Sequence, residues 1–375
     1  MISCLRQWLP LAGDSNDWPD LHLDAAPLNR EKATRWYATG RAALFQALRP
    51  LAEQSPGTAL IPAYIAGGVI DPLRALGFTI RFYCTGVDLL CDLDQLGGMV
   101  ESDPQVRVVV ILHPMGRIQD LASLPETCRS HGAVLIEDCA QALFCVDEQG
   151  RPAGSQGDLA LFSLTKHLGC VDGAAVVFRS ERLQPPPQPR RRPLLTRLAT
   201  GWYGLHLLLD QTMHRCSNIS GAKGLLVASG YCYDRFYARA SRDFSPLAPS
   251  PTSARQLNGL NVRRLVAQRR RNVATIYSGL HSPYLRLVYP VDHPGWVPMA
   301  VPAMVEGVSR QEWVGRIMDR GVFLASLCSR WDHLPPGDEF SREREYLDHH
   351  VLIPINEFIN DEQMSRIVDV LNSIC

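Results

Sequence analysis

The chain has 375 residues, which is long enough for one large domain and a smaller second one. Its 38 basic residues balance 38 acidic residues, so no net field would gather nucleic acid or an anionic membrane surface, and we expect no nucleic-acid partner. The eleven cysteines are odd in number and form neither a Cys-x-x-Cys pair nor a metal-like spacing, which predicts reduced thiols and no metal site.

The N-terminal segment MISCLRQWLPLAG is apolar, but Arg6 and Pro10 interrupt it. It is too short for a secretory signal or a membrane span, so we expect a cytoplasmic protein. The first strong helix signal begins at or just after Gly40, in the segment GRAALFQALRPLAE. Leucine and alanine recur there at intervals of three and four residues, which is the period of an amphipathic helix.

Between about residues 58 and 180, short apolar and β-branched runs alternate with segments of helical period. This alternation is typical of a mostly parallel sheet in an α/β fold. The predicted strands are Thr58–Pro62, Thr79–Tyr83, Val106–Leu112, Ala133–Glu137, Leu159–Leu164 and Ala174–Phe178. We therefore predict a large domain over residues 1–180.

The pattern changes over residues 181–245, which we interpret as an insertion. A linker, PPPQPRRRP, precedes the apolar segment LLTRLATGWYGLHLLLD. A helix that lies on a membrane through residues 190–210 is one interpretation of arginines followed by an apolar run. We favour the other, in which the segment packs over the active site or a dimer partner.

Residues 246–375 are predicted to form a smaller C-terminal α+β domain with its linking helix. Ala254–Leu280 has the pattern of one long basic helix, and strand signals follow near Tyr284–Tyr289 and Met299–Val305. Two further amphipathic segments complete this domain.

Two of the predicted strands end in polar side chains. The segment AVLIEDCAQALF places Asp138 where ligands bind in open parallel sheets, although a structural or helix-capping role explains a single carboxylate equally well. The segment LALFSLTKHLG brings Ser163 and Lys166 to the end of another strand. A lysine there, taken alone, is explained by a side chain that reaches into water.

Taken together, Asp138, Gln141, Ser163 and Lys166 meet the needs of pyridoxal 5′-phosphate (PLP). This cofactor needs an amine for its aldehyde, a carboxylate for its pyridinium nitrogen, and polar groups with backbone N–H donors for its phosphate. The helix that starts near Gly40 offers free amides and a positive dipole end. The sequence therefore predicts a PLP enzyme in which Lys166 carries the cofactor as a Schiff base.

The chain resembles the DegT/DnrJ/StrS family of PLP-dependent aminotransferases, which have PLP fold type I. The matching segments are GRAAL at 40–44, IPAYIAG at 61–67, VVVILHPMGRIQDLASL at 108–124, VLIEDCAQAL at 134–143, GSQGDLALFSLTK at 154–166 and ARQLNGLNVRRLVAQRRRNVATIYSGL at 254–280. The resemblance implies a large domain with a mostly parallel central sheet, a smaller C-terminal α+β domain, and a homodimer.

The resemblance also implies roles for the residues that match the family motifs. Lys166 would carry the cofactor, Asp138 would pair with its pyridinium nitrogen, and Gln141 would lie near its ring hydroxyl. Ser163 would help to hold the phosphate. Ser163 and Lys166 are closer together in this chain than is common in the family.

Gly40 and the backbone of Arg41 and Ala42 would, by the same resemblance, complete the phosphate site. Ala66 occupies the position at which the family usually has an aromatic residue stacked on the cofactor. Tyr64 is therefore the candidate for that stacking, and the alternative is a cofactor ring that is held without stacking.

We interpret two histidines near these motifs as structural. His113 ends a predicted strand, where a hydrogen-bonded structural role is favoured over a role in the pocket. His167 directly follows Lys166, and adjacent residues on an extended segment face opposite sides.

The leading functional hypothesis is an aminotransferase of sugar or polysaccharide biosynthesis. It would move an amino group from an amino acid, with glutamate expected, to a keto acceptor, and the family resemblance alone implies that this acceptor is a nucleotide-linked sugar or a related intermediate. Two alternatives stay open: a PLP enzyme of another reaction type, namely elimination, decarboxylation or condensation, and a non-catalytic PLP-fold binding protein. No G-x-G-x-x-G motif follows an early strand, which argues against a nicotinamide dehydrogenase.

Overall fold

A computed structural model describes residues 34–190, 197–213, 219–240, 242–258, 260–324 and 334–374. The apolar N-terminal segment lies outside these residues. Residues 191–196, which include part of the predicted linker and part of the segment for which membrane contact was the less favoured interpretation, lie outside them as well. The seven cysteines within the described ranges are free thiols.

A seven-stranded sheet forms the centre of the large domain. Its strands are β1 (Thr34–Tyr37), β2 (Thr58–Pro62), β3 (Thr79–Tyr83), β4 (Val106–Leu112), β5 (Val134–Asp138), β6 (Leu159–Ser163) and β7 (Ala174–Phe178). Their order is β1-β7-β6-β5-β4-β2-β3, and all neighbours from β3 to β6 are parallel. Strand β7 is antiparallel to β6, and β1 is antiparallel to β7. The mostly parallel sheet is as predicted, whereas β1 was not predicted.

Helices cover both faces of the sheet. They are α1 (Gly40–Gln54), α2 (Gly67–Ala75), α3 (Leu93–Ser102) and α4 (Leu124–Ser130). Ile61 and Val110 pack with α1 and α2 on one face, whereas Leu60 and Val109 pack with α3 and α4 on the other. Because successive strand residues face opposite sides and both sides are buried, the strands are continuous apolar runs in the sequence.

The predicted insertion contains two long helices, α6 (Arg197–Met213) and α7 (Ile219–Ala240), which follow the short helix α5 (Thr165–Leu168). They run antiparallel to each other, with Tyr203 against Phe236 and His206 against both Tyr233 and Ser229. No helix among the described residues is both long and apolar enough to cross a membrane.

The prediction of one helix over Ala254–Leu280 is wrong. Two helices are present, α8 (Pro251–Asn258) and α9 (Val262–Gly279). The side chain of Asn261 accepts a hydrogen bond from the amide of Arg264 at 3.0 Å and so caps the start of α9. An N-cap residue has a non-helical backbone, which interrupts the helical period seen in the sequence.

The C-terminal part of the chain is α+β, as predicted, and its three strands form a small antiparallel sheet. Its elements are β8 (Leu285–Leu287), β9 (Ala300–Val305), α10 (Arg310–Asp319), α11 (Ser341–His349), β10 (His350–Pro354) and α12 (Asp361–Ser373). The strand order is β10-β9-β8. This sheet and one face of the central sheet share a continuous apolar core, which includes Phe162 of β6 and Trp313 of α10.

Buried Asp172 connects the segment before β7 to the start of α8. Its carboxylate accepts hydrogen bonds from the amide of Ser250 at 3.0 Å and from the hydroxyls of Ser250 and Ser253 at 2.9 and 2.5 Å. A buried charge of this kind is tolerated because several donors satisfy it.

We expect Asp172→Ala to lower the free energy of unfolding by about 2 to 4 kcal/mol, because it leaves buried donors without their acceptor. Urea unfolding followed by circular dichroism measures the change. Asp348→Ala, at an exposed position of α11, is the matched control and should change stability little. Equal effects of the two substitutions would contradict this role for Asp172.

Candidate active site

The carboxyl ends of three neighbouring strands meet at one edge of the sheet. Asp138, the last residue of β5, pairs with Leu112 of β4 and with Leu161 of β6. Lys166 lies in α5, directly after β6. The parallel register therefore brings Asp138 and Lys166 to the same edge, as predicted for a ligand site.

Lys166 and Asp138 influence each other electrostatically. The protein atoms around the Lys166 amine lower its pKa; the Asp138 carboxylate opposes this effect and the Arg41 cation adds to it. The Lys166 side chain is nevertheless exposed, so water in the cleft limits the effect of burial. Asp138 is buried, and its burial raises its pKa although Lys166 and the amide of Ala140 favour the charged form.

Two hydroxyl groups lie next to the lysine. The Ser163 and Thr165 hydroxyls are 3.1 Å apart, at the end of β6 and the start of α5. Gly169 ends α5 in the left-handed conformation, at φ 60°. A left-handed residue of this kind ends a helix without strain when it is glycine, and this explains how the tight turn after Lys166 is made.

The start of α1 lies beside this edge. Thr39 is its N-cap, and the Thr39 hydroxyl accepts a hydrogen bond from the amide of Ala42 at 3.2 Å. A Cβ atom added at Gly40 would lie 4.0 Å from Leu161, so the first turn of α1 packs on β6. The first-turn amides of a helix have no carbonyl partner within the helix and attract anions.

The Arg41 side chain is held between two neighbours near the start of α1. Its Nε atom lies 3.3 Å from the Asp71 carboxylate, and its guanidinium lies 4.5 Å from the centre of the Tyr237 ring. Arg41 therefore contributes a positive charge next to Lys166 in addition to its backbone amide.

The structure places Gln141 and Tyr64 differently from the other predicted residues. The Gln141 side-chain oxygen accepts a hydrogen bond from the amide of Met115 at 2.7 Å, so this buried side chain supports the turn after β4. Tyr64 is fully buried, and its ring meets that of Tyr346 edge-on at 5.0 Å. The Tyr64 ring thus has no face exposed toward the edge where Lys166 lies.

His113 has the structural role favoured from the sequence. It is fully buried, and its Nε2 atom lies 2.9 Å from the Glu137 carboxylate. His113, Glu137 and Cys139 place one potential metal-ligand atom each within 4.8 Å of one another. The oxygens of Glu137, however, already form hydrogen bonds with His113 and with backbone amides. We therefore interpret His113 and Glu137 as part of a buried hydrogen-bond network.

The segment GSQG at 154–157 wraps around the Glu137 carboxylate. The amides of Gly154 and Gln156 donate to it at 3.2 and 2.7 Å, and the amide of Gly157 donates as well. A Cβ atom at Gly157 would lie 2.9 Å from the carbonyl oxygen of Leu135, so only glycine allows this close approach. Burial alone would raise the Glu137 pKa, but the His113 and backbone hydrogen bonds lower it below its ordinary value.

His167 is buried beneath the lysine, so the expectation that it faces away from Lys166 agrees with its position. The reason is different, because the two residues share a helical turn rather than an extended segment. Burial lowers its pKa well below the ordinary value, and the cations of Arg269 and Lys166 add to this effect. His167 is therefore neutral near pH 7.

These groups match the chemical needs of PLP. An amine, a buried carboxylate, two hydroxyls and a helix N-terminus converge at one edge of the sheet. Among the described hydrogen bonds, the Asp138 carboxylate accepts one, from a backbone amide, and its pKa is raised. This carboxylate can therefore accept a further bond from a cationic ligand group. The side chains that would hold the cofactor are Lys166, Asp138 and Ser163, together with the first turn of α1.

The fold and this edge define a protein with the architecture of the aminotransferases of PLP fold type I. The solved structure of the aminotransferase TlmJ from Streptoalloteichus hindustanus superposes with a TM-score of 0.63 at 18% identity, over 91% of this chain and 85% of that one. Residues 85–186 match the model of the DegT/DnrJ/EryC1/StrS aminotransferase family. The family resemblance predicted from the sequence is thereby confirmed.

Two curated relatives are sugar-type aminotransferases. The L-glutamine:2-deoxy-scyllo-inosose aminotransferase of Streptoalloteichus tenebrarius is 38% identical over 96 residues, which are 25% of this chain and 22% of the relative. The UDP-N-acetyl-3-dehydro-alpha-D-glucosamine 3-aminotransferase of Acidithiobacillus ferrooxidans is 30% identical over 151 residues, 39% of this chain and 40% of the relative. The chain thus matches between about a fifth and two fifths of the length of these relatives.

Four residues at the site were not predicted from the sequence. Thr39 and Thr165 had local signals, since a threonine directly before a helix is a common N-cap and Thr165 lies between two predicted site residues. Tyr203 lies in the apolar segment that was expected to pack over the active site or a dimer partner, although nothing marked this tyrosine itself. Tyr237 had no local signal, because only the folded chain brings it to the site.

We expect Glu137→Gln to lower the free energy of unfolding by about 3 kcal/mol, because an amide presents an N–H₂ group to buried N–H donors. Chemical unfolding measures this loss. Glu126→Gln, at an exposed position of α4, is the matched control and should have little effect. A stable Glu137→Gln protein would show that the GSQG loop does not depend on the carboxylate.

Proposed function

We propose that the chain is a PLP-dependent aminotransferase that moves an amino group from an amino acid to a keto acceptor. The observation that carries the proposal is the convergence of the Lys166 amine and the buried Asp138 carboxylate at the carboxyl edge of the sheet. When bound, PLP supplies an aldehyde for amines and a ring that accepts electrons from the substrate carbon.

Each side chain has a role that follows from its position. Lys166 Nζ would carry the cofactor and, once displaced by the substrate amine, move a proton between two carbons. The lowered pKa of Lys166 favours the neutral amine, which is the form that reacts with an aldehyde and accepts a proton. Asp138 would keep the proton on the ring nitrogen, and Ser163 with the first turn of α1 would bind the phosphate.

The acceptor we propose is a ketone on a nucleotide-linked sugar or a related polyhydroxylated ring. The support comes from the names of the relatives, one an aminotransferase for 2-deoxy-scyllo-inosose and the other for UDP-N-acetyl-3-dehydro-alpha-D-glucosamine. Glutamate is the proposed donor. Glutamine is the alternative, since the first of these relatives is named for it.

We further propose a homodimer as the functional unit, because symmetric pairs are the commonest assembly and the family resemblance implies one.

Tyr64 does not present a face to the site, so the proposed cofactor ring would need to be held by other groups.

The first test locates the cofactor. The chain has three lysines, Lys32, Lys166 and Lys223, so the result is unambiguous. After incubation with PLP, borohydride reduction should fix the cofactor on Lys166, as measured by peptide mass spectrometry. Lys166→Ala should abolish the visible absorbance of protein-bound PLP, whereas Lys223→Ala should retain it. Fixation on Lys223, or on no lysine, would overturn the proposal.

The second test concerns Asp138. Asp138→Asn should lower the rate of amino transfer from glutamate by about 10² to 10⁴-fold, because the ring nitrogen loses the charge that keeps it protonated. Asp92→Asn is the matched control, since Asp92 caps α3 and asparagine is an equally good N-cap. Turnover close to that of the parent protein would reject the role given to Asp138.

A further inference from the structure

Helices α6 and α7 form one unit, which we call the hairpin. Its inner surface is aromatic: the Tyr203 ring lies 4.8 Å from Phe236, and the His206 ring lies 5.2 Å from Tyr233. The Ser229 hydroxyl lies 2.7 Å from Nδ1 of His206. These contacts hold the two helices in a fixed position relative to each other.

The chain that leaves the hairpin is fixed to the large domain. The Phe244 ring stacks on Phe45 of α1 with centroids 4.8 Å apart and an angle of 5° between the ring planes. The carbonyl of Phe244 accepts a hydrogen bond from the side chain of Gln46 at 2.8 Å. The hairpin is therefore attached to the same helix whose first turn borders Lys166.

Each helix of the hairpin contacts one neighbour of Lys166. Tyr203 of α6 is buried, which raises the pKa of its phenol, and the side chain of Thr165, the residue directly before the lysine, is near enough to oppose that rise. Tyr237 of α7 lies under the guanidinium of Arg41, 4.5 Å from ring centre to Cζ. The hairpin thus contacts the turn that carries the amine and also the cation beside the amine.

We propose that Tyr203 and Tyr237 are positioning residues of the active site, Tyr203 for the turn that carries Lys166 and Tyr237 for the Arg41 guanidinium. The hairpin is then a wall of the site. This inference rests on the proposed function for the role of Lys166, and it assigns a task to a segment that lies outside residues 85–186, the part of the chain that matches the family model.

The physical effect of Tyr237 is on charge placement. The charged and titratable groups near the Lys166 amine are Asp138, Arg41 and the adjacent, neutral His167. A cation held near an amine lowers the pKa of that amine. Without the Tyr237 ring, the Arg41 side chain can move toward its other partner, Asp71, and water can enter the space. Both changes raise the Lys166 pKa.

Competitive acetylation of the cofactor-free, full-length protein tests this effect. Only the neutral amine reacts, and mass spectrometry separates Lys166 from the exposed Lys223, which serves as an internal reference. Tyr237→Leu should slow acetylation of Lys166 near pH 8 by about threefold, because a higher Lys166 pKa leaves a smaller fraction of the amine neutral. Tyr231→Leu is the matched control, because Tyr231 is on the same helix and contacts Arg235 rather than Arg41.

Hydrogen exchange tests Tyr203. Tyr203→Phe removes only the hydroxyl, so the fold should be retained while the amides of residues 164–168 exchange faster. The same amides should be unchanged in Tyr231→Leu. Exchange and acetylation profiles identical to those of the parent protein in both tyrosine variants would overturn the inference. The proposed function would still stand if borohydride fixed PLP on Lys166 in these variants, so the two failures are distinguishable.

Discussion

Strand β5 pairs in parallel with β4 on one side and with β6 on the other, and the positions of the polar groups at the ends of β5 and β6 depend on this pairing. The register places Asp138 beside Leu112 and Leu161, so the chain leaves all three strands at the same edge. Asp138 and Lys166, which are distant in sequence, become neighbours for this reason. A register slip of one residue would turn Asp138 to the opposite face and put Glu137 in its place.

The two adjacent carboxylates at the end of β5 are both buried, but they differ in the number of hydrogen bonds that they accept. Glu137 is enclosed by the backbone amides of the GSQG loop and by His113, so its charge is satisfied within the protein. Asp138 has only the Ala140 amide among its described hydrogen bonds, and Lys166 as a nearby cation. A buried carboxylate with few hydrogen bonds destabilises a protein unless a ligand satisfies it. Asp138 is therefore a better candidate than Glu137 for a contact with a ligand.

The strands of the central sheet could be predicted because strands buried on both faces are continuous apolar runs, and the pairing of Asp138 with Lys166 follows from strand ends alone. Other features depend on contacts between distant segments or on a single local side-chain contact. The family resemblance suggested Tyr64 as a stacking residue, but packing against Tyr346 encloses it. The break before α9 depends on a single side-chain cap by Asn261. Tyr203 and Tyr237 reach the site only because α6 and α7 pack against each other.

The hairpin and the cofactor pocket belong to different parts of the chain, yet they share two contacts. The strand-end groups Asp138, Ser163 and Lys166 lie within the segment that matches the family model, whereas α6 and α7 follow it. Changes on the far side of the hairpin would leave the lysine and the carboxylate in place. Changes at Tyr203 or Tyr237 would not, because Thr165 and Arg41 transmit them to the amine. Since rigid elements position functional groups better than loops do, a helical hairpin held by aromatic packing is suited to position the turn that carries Lys166.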